Sequence, residues 1–416
     1  MKFELGFGTG TQKVEIPERN LLAVLEPNKV ETGLTGEDAV KEALKNPIGS
    51  KRLKEIVKPG EKIVIITSDI TRPCPTWKIM PALLTELYDA GISKKDITLV
   101  FALGSHRKMT EEEQKHLAGE KAYSEIMCMD GDAADCVHLG VTKNGTPVDI
   151  VRTVAEADRR ICLGNIEYHY FAGYSGGAKA IMPGVSTFDA IQSNHSMMVQ
   201  EGAYAGNIEG NPVREDIEEA ASLCKVDFIV NVVLNEHKEI IKAVAGDVTE
   251  AHRVGCRFLD SLFRVKIPRR ADIVLVSQGG APKDMNLYQT QKALDNAKHA
   301  VKKGGTIILI GACTEGLGQK TFEEWMQKAE TPDDLIKWTR EHFRLGGHKA
   351  AAIAMVEKNA EVDLVSEMPD DLVKTCFMHP FRDVQTAFDD AVKKYGSNAE
   401  VIVMPYGGST LPSSES

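Results

Sequence analysis

No stretch of this 416-residue sequence is apolar enough to span a membrane. The richest runs, Ile63–Thr67 and Ile307–Ile310, have the length of β-strands, whereas a spanning helix needs about 20 apolar residues. An excess of base is also missing. The 50 Lys+Arg stand against 60 Asp+Glu, a formal charge of −10 without a basic patch, which argues against a grip on nucleic-acid phosphates. Cysteine pairs are absent as well. The eight cysteines, at 74, 128, 136, 162, 224, 256, 313 and 376, include no Cys-x-x-Cys. That spacing excludes a zinc ribbon and reads as the reduced thiols of a cytoplasmic protein, not as a disulfide framework. Met1-Lys2-Phe3-Glu4 brings an acid early and no apolar run, unlike a secretory signal. There is no internal repeat.

What is present is a repeated order of apolar strand, turn and amphipathic helix, in a chain 43% apolar and 26% charged with length enough for two cores. Lys62–Ser68 reads as a buried strand ending in the turn Asp69-Ile70-Thr71-Arg72-Pro73. Ile79, Leu83, Leu84, Leu87 and Tyr88 then mark a helix face, closed by Gly91. Asp96–Leu103 is the next strand, breaking at Gly104-Ser105-His106, and Val148–Arg152, Ile161–Gly164 and Phe228–Leu234 are further strand candidates. The charged, proline-bearing stretch Val265–Arg270 precedes a fresh βαβ unit: strand Ile273–Ser277, a helix within Asn286–Lys303, and strand Thr306–Gly311. Helices around 321–329, 333–343 and 348–359 and the strand Val401–Met404 follow.

Strands alternating with helices imply an α/β protein whose sheets are mostly parallel and flanked by helices. Two domains are expected: an N-terminal α/β domain over residues 1–265 and a C-terminal Rossmann-like α/β domain over 271–404, with the glycine-rich tail 405–416 crossing back to the first.

In open α/β sheets ligands collect outside the carboxyl ends of the strands. Those ends carry Asp69 with Arg72, then His106, then Glu167 with His169, and Gln278-Gly279-Gly280 in the second domain. The densest stretch is Asn165–Gly184, which holds His169, the turn Ser175-Gly176-Gly177 and Lys179, with His195 beyond. A nucleotide P-loop is excluded, because Ala178 separates the glycines from Lys179 and Ala180 replaces the Ser/Thr that would hold magnesium. Lys179 is either a covalent attachment point, a desolvated amine being a good nucleophile, or a surface lysine after a turn. Each histidine alone is more often a packed core residue than a ligand. Three of them with a lysine and an arginine, all after strand ends or turns, are harder to dismiss.

These residues resemble the nickel-dependent lactate racemase family. Asp69-Ile70-Thr71-Arg72-Pro73 is similar to its D-x-T-R-P turn, and Gly104-Ser105-His106-Arg107 to its G-x-H-R segment. His169 through Lys179 resembles its H-x-F-A-G-x-S-G-G-x-K signature, and Tyr288-Gln289-Thr290-Gln291-Lys292 its Y-Q-x-x-K. The likeness spans roughly residues 1–412.

The resemblance implies a nickel-pincer nucleotide, Ni(II) pyridinium-3-thioamide-5-thiocarboxylic acid mononucleotide, attached covalently at Lys179 and supplied by separate cofactor maturation enzymes. His195 would complete a planar nickel site, a geometry Ni(II) favours. His106 and His169 would be the acid–base catalysts on opposite faces of the substrate carbon, since an imidazole exchanges a proton near neutral pH. The reaction so implied moves the C2 hydride of a 2-hydroxy acid to the cofactor while a histidine takes the hydroxyl proton, then returns hydride to the other face. Arg72 would clamp the substrate carboxylate. Tyr288, Gln289 and Lys292 would add contacts from the second domain, putting the active site in the interdomain cleft. Asp69 would orient Arg72 or a histidine, or else only form an Asx turn before Thr71. Ser175, Gly176 and Gly177 would cradle the cofactor phosphate.

The chain departs from the family where lactate-specific members carry a tryptophan in the second domain. Here that segment reads Gly347-His348-Lys349-Ala350, and a cation such as Lys349 would welcome a second acidic group on the substrate. Another departure, Ala178 where some members have arginine, carries little meaning. The expected activity is thus racemisation of a lactate-type 2-hydroxy acid, with malate or a sugar acid as the more polar alternative. Two rivals remain: a pyridoxal-phosphate enzyme with its Schiff base at Lys179, which leaves three histidines unexplained, and a non-catalytic cofactor- or carboxylate-binding carrier.

Overall fold

Runs of apolar residues buried on both faces need parallel neighbours and helices on either side. In a computed structural model describing residues 1–414, such runs form a sheet of six strands over Val30–Ser261. They are β1 (Ile63–Ser68), β2 (Ile97–Ala102), β3 (Met127–Asp130), β4 (Arg159–Asn165), β5 (Phe228–Leu234) and β6 (Ile240–Gly246). Their order is β6-β5-β4-β1-β2-β3, parallel throughout except for the antiparallel edge pair β5–β6. One face buries alternate residues: Ile63 and Ile65, Leu99 and Phe101, Ile161 and Leu163, Val230 and Val232. The helices Gly36–Lys45 and Thr76–Asp89 cover that face with Val40, Leu44, Ile79, Leu83 and Leu87. Each such side chain contributes about 1.5–3 kcal/mol when fully buried. The intervening Val64, Ile66, Val100, Cys162 and Ile229 are buried too, so neither face of the centre is solvated.

Strand order sets the place of the chemistry. From β1 the chain moves to β2 and β3 on one side, then returns to β4 and β5 on the other. The reversal leaves a crevice at the carboxyl ends of β1 and β4, where loops part in opposite directions. Asp69 follows β1, His169 follows β4, and His106 follows the neighbouring β2.

The other unit consists of Met1–Lys29 with Leu262–Ser416, of which residues to 414 are described. Its sheet is wholly parallel, in the order His379–Phe381, Glu361–Val365, Val301–Ile310, Ala271–Ser277, Val401–Met404, Leu21–Val24. The α/β class with mostly parallel sheets is therefore as expected. The domain limits differ from those expected at residues 1–265 and 271–404. Leu21–Val24 is the edge strand beside Val401–Met404, so the first 29 residues belong with the C-terminal half. The tail differs as well: Leu411–Ser414 pairs in parallel with Arg264–Ile267 and stays in the C-terminal unit. Val148–Arg152, expected as a strand, is one arm of an antiparallel hairpin (Cys136–Val141 with Pro147–Val151) and lies outside the large sheet. Among the described residues the eight cysteines are free thiols, and no helix is long and apolar enough to cross a membrane.

Candidate active site

At the end of β1, Asp69 is buried and turned onto His106. Nδ1 of His106 donates to Asp69 Oδ2 at 2.7 Å, and Thr71 Oγ1 donates to Asp69 Oδ1 at 2.8 Å. An ionised carboxylate can only accept, so the imidazole hydrogen sits on Nδ1 and Nε2 keeps a lone pair. Burial alone would raise the Asp69 carboxyl, but the hydrogen bonds from His106 and Thr71 outweigh it and hold the group below its ordinary range. Asp69 thus holds His106 and Thr71 together through its two oxygens.

The β2 loop is fixed to the lysine segment through the backbone: Gly104 N–H donates to Gly184 O at 2.9 Å, and Gly184 N–H donates to Lys179 O at 3.2 Å.

Phe171 gathers three of the candidate residues. Its ring centre lies 4.5 Å from that of His169, 4.9 Å from that of His195, and 5.8 Å from the Lys179 Nζ. His169 accepts the Ala172 N–H at Nδ1, 3.3 Å away, which leaves the hydrogen of its neutral ring on Nε2. Burial first, then the charges of Lys179, His195 and Arg72, hold the His169 imidazole well below its usual range. Lys179 is affected in the same direction. Burial, with Arg214 and Arg72 nearby, depresses its amine well below the ordinary lysine value, Glu167 opposing weakly. Both side chains keep partial contact with solvent. Arg72 is exposed, yet close enough for its charge to act on both.

The glycine turn bends the chain back under Lys179. Gly176 and Gly177 have φ of 74° and 57°, a region that glycine alone enters without strain. A Cβ at Gly177 would stand 2.9 Å from the His252 ring, and one at Gly176 would stand 2.7 Å from Asn231 Oδ1. The polar groups expected to cradle a phosphate are partly engaged within the protein. Ser175 Oγ donates to Asn165 O at 2.7 Å, Ser175 N–H to Glu167 O at 2.9 Å, and Gly177 N–H to Asn231 Oδ1 at 2.6 Å.

Several contributors carried no sequence signal. Arg214 is fully buried; its Nε donates to Ala172 O at 3.1 Å and its Nη2 to Tyr174 O, pinning the signature loop. His252 Nε2 donates to Ser175 O at 2.8 Å, supporting the turn from beneath. Asn194 accepts from His195 Nδ1 at 2.9 Å, a contact that adjacency in sequence could have suggested.

In the C-terminal unit, Asn286 caps the helix Leu287–Ala297, accepting the Gln289 N–H at 3.0 Å. Tyr288 and Lys292 are four residues apart on this helix and share a face, while Gln289 is exposed. Lys349 belongs with Tyr288: its Nζ donates to the Tyr288 carbonyl at 2.6 Å and stands 4.2 Å from the centre of the Tyr288 ring. His348 brings no charge, because burial, aided by Lys349, pushes its imidazole down to about 3. Nor is the segment remote from tryptophan, since a Cβ at Gly347 would stand 2.5 Å from the Trp325 ring.

Comparison with known proteins places these residues in context. Residues 7–206 match the family model described as the lactate racemase N-terminal domain, and residues 267–411 the lactate racemase C-terminal domain. A lactate racemase of Thermoanaerobacterium thermosaccharolyticum is 32% identical over 98% of both chains, and one of Lactiplantibacillus plantarum is 34% identical over 90% of both. The apoprotein structure of the former superposes with a TM-score of 0.88 at 32% identity, covering 99% of this chain and 100% of that one. A Thermotoga maritima protein at 19% identity and TM-score 0.61 shares the fold.

Proposed function

Because the chain belongs to the lactate racemase family and is thereby an isomerase, we propose that it interconverts the D and L forms of a lactate-type 2-hydroxy acid, with a nickel-pincer nucleotide held at Lys179 and His195. The observation that carries the reading is the Phe171 ring, with His169, His195 and Lys179 around it.

The residues present fit that cofactor. Burial and neighbouring arginines depress the Lys179 amine, which favours the neutral nucleophilic form that attachment requires. Among the described residues no three His, Cys, Asp or Glu side chains converge as a metal cage. Imidazole is a ligand that suits nickel, and His195 would supply one. Gly176 and Gly177 allow the chain to pass where any side chain would collide. When bound, the group supplies a hydride acceptor and donor.

The protein's own residues handle the proton and the carboxylate. His106, held by Asp69 with its hydrogen on Nδ1, takes the substrate hydroxyl proton at Nε2. His169 serves the opposite face; to take a proton at Nε2 its ring must give up the Ala172 N–H and carry its hydrogen on Nδ1. The charge of Lys179 disfavours a protonated His169, and attachment of Lys179 through a thioamide would remove that charge. Arg72 clamps the carboxylate. Cofactor supply requires maturation enzymes, which together with the free thiols supports a cytoplasmic location.

A second reading has one observation in its favour: the Lys349 ammonium against Tyr288 would suit a dicarboxylic or otherwise polar 2-hydroxy acid such as malate. The two readings separate in a racemisation assay of lactate against malate on protein matured with the cofactor enzymes. His106→Ala and His169→Ala should each abolish turnover. Matured, nickel-loaded protein that turns over neither these acids nor a sugar acid would leave only a carrier.

A further inference from the structure

Asn194 and Asp216 lie behind His195, both fully buried, on the helices Phe188–Ser196 and Pro212–Cys224. The Asn194 amide has its orientation dictated from outside. Its Nδ2 donates to Val213 O at 3.2 Å and to Asp216 Oδ2 at 2.8 Å, and both partners only accept. Oδ1 must then face the imidazole, where it stands 2.9 Å from His195 Nδ1. A carbonyl oxygen accepts, so Nδ1 carries the hydrogen and the lone pair of the neutral ring is on Nε2. Asp216 is itself fixed: its other oxygen accepts from Thr142 Oγ1, whose oxygen accepts the Thr146 N–H at 3.1 Å.

We infer that Asn194 and Asp216 are positioning residues that lock His195 in the Nδ1–H tautomer with Nε2 as the metal-ligating atom; the inference rests on the nickel reading above. A histidine bound to a metal through Nε2 must be deprotonated there and held against ring rotation, and a hydrogen bond from its other nitrogen does both. Within this chain of contacts the acidic member is one residue removed from the imidazole. Asn194 transmits the position of Asp216 while placing a neutral oxygen, not a carboxylate, on the ring. His106, by contrast, has the Asp69 carboxylate directly on its Nδ1. The two histidines thus share a tautomer and differ in the group that holds it, a carboxylate behind His106 and an amide behind His195. A buried asparagine that merely satisfied its own hydrogen bonds would leave metal retention indifferent to its replacement.

The test has two independent readouts. In the metal-free wild-type protein, 15N NMR of labelled histidine, assigned with His195→Gln, should show His195 protonated at Nδ1 and bare at Nε2; the reverse tautomer overturns the inference. In cofactor-matured protein challenged with a chelator, Asn194→Leu should release nickel about 10- to 100-fold faster than wild type, with the mass added at Lys179 unchanged. Asp216→Asn should accelerate release in the same direction and serves if the leucine variant does not fold. Release at the wild-type rate from a folded variant overturns the inference. Matured wild type without nickel or added mass would sink the cofactor reading instead, and the tautomer in the metal-free protein would then decide the inference alone.

Discussion

Asp69→Asn removes a charge from behind the proposed base while keeping its shape, and the geometry bounds the outcome. The carboxylate lies 2.7 Å from His106 Nδ1 and accepts from Thr71 at 2.8 Å. An asparagine has two ways to sit there. If its oxygen faces the imidazole, Nε2 keeps its lone pair and only the charge assistance is lost, about 1.5 kcal/mol or roughly tenfold in rate. If its amide nitrogen faces the imidazole, the hydrogen moves to Nε2 and the base is gone, about 10²–10⁴-fold. The expected loss in kcat is therefore at least about tenfold, with KM far less changed. The assay is racemisation by matured enzyme, followed by chiral chromatography. A variant whose kcat stays within about twofold of wild type would refute the orienting role of Asp69. Stability offers a second check. The folded carboxyl is held below its ordinary value, so its contribution is complete above about pH 4, the unfolded value, and disappears as pH falls through the lower folded value. Asp69→Asn should flatten that acid-side slope.

Lys179, with its amine depressed, should be acylated at neutral pH in the cofactor-free protein faster than exposed lysines, as peptide mass spectrometry would show; equal rates would contradict the depressed amine. The unfolded chain binds that proton more readily, so Lys179→Met should leave the fold intact and raise Tm at pH 7, seen by differential scanning fluorimetry. Gly177→Ala, with φ of 57° and a Cβ 2.9 Å from the His252 ring, should cost about 1–3 kcal/mol by denaturant unfolding and reduce cofactor loading. If Lys349 receives a second carboxylate, Lys349→Ala should raise KM for malate at least about tenfold and leave KM for lactate within about threefold; an equal effect on both would remove the polar-substrate reading.

The fold class was legible because parallel sheets write themselves as apolar runs, and β1, β2, β4 and β5 are such runs. Strands whose pairing is settled far along the chain were not. Leu21–Val24 is too short to announce itself, and its partner Val401–Met404 lies at the other end of the sequence, so residues 1–29 read as part of the N-terminal domain although they pack with the C-terminal half. Met127–Asp130 is partly exposed and short, with no run to read. At the site, polar residues directly after strand ends could be found, because the strand ends themselves could. Arg214 could not: it stands in a charged stretch, Arg214-Glu215-Asp216, that gives no sign of burial. Its burial depends on the carbonyls of Ala172 and Tyr174, in a loop brought over it by tertiary structure. Asp216 was hidden for the same reason, its partner Asn194 lying on a different helix.

In the proposed mechanism Lys179 and His195 hold a nickel-bearing nucleotide with which the enzyme racemises a 2-hydroxy acid. Peptide mass spectrometry of Lys179 in protein co-expressed with the maturation enzymes, with nickel measured on the same sample, tests it most directly. Added mass on the Lys179 peptide with stoichiometric nickel, both accompanied by racemisation and both absent without the maturation enzymes, is the predicted result. Racemisation by protein whose Lys179 is unmodified and which holds no nickel would contradict it.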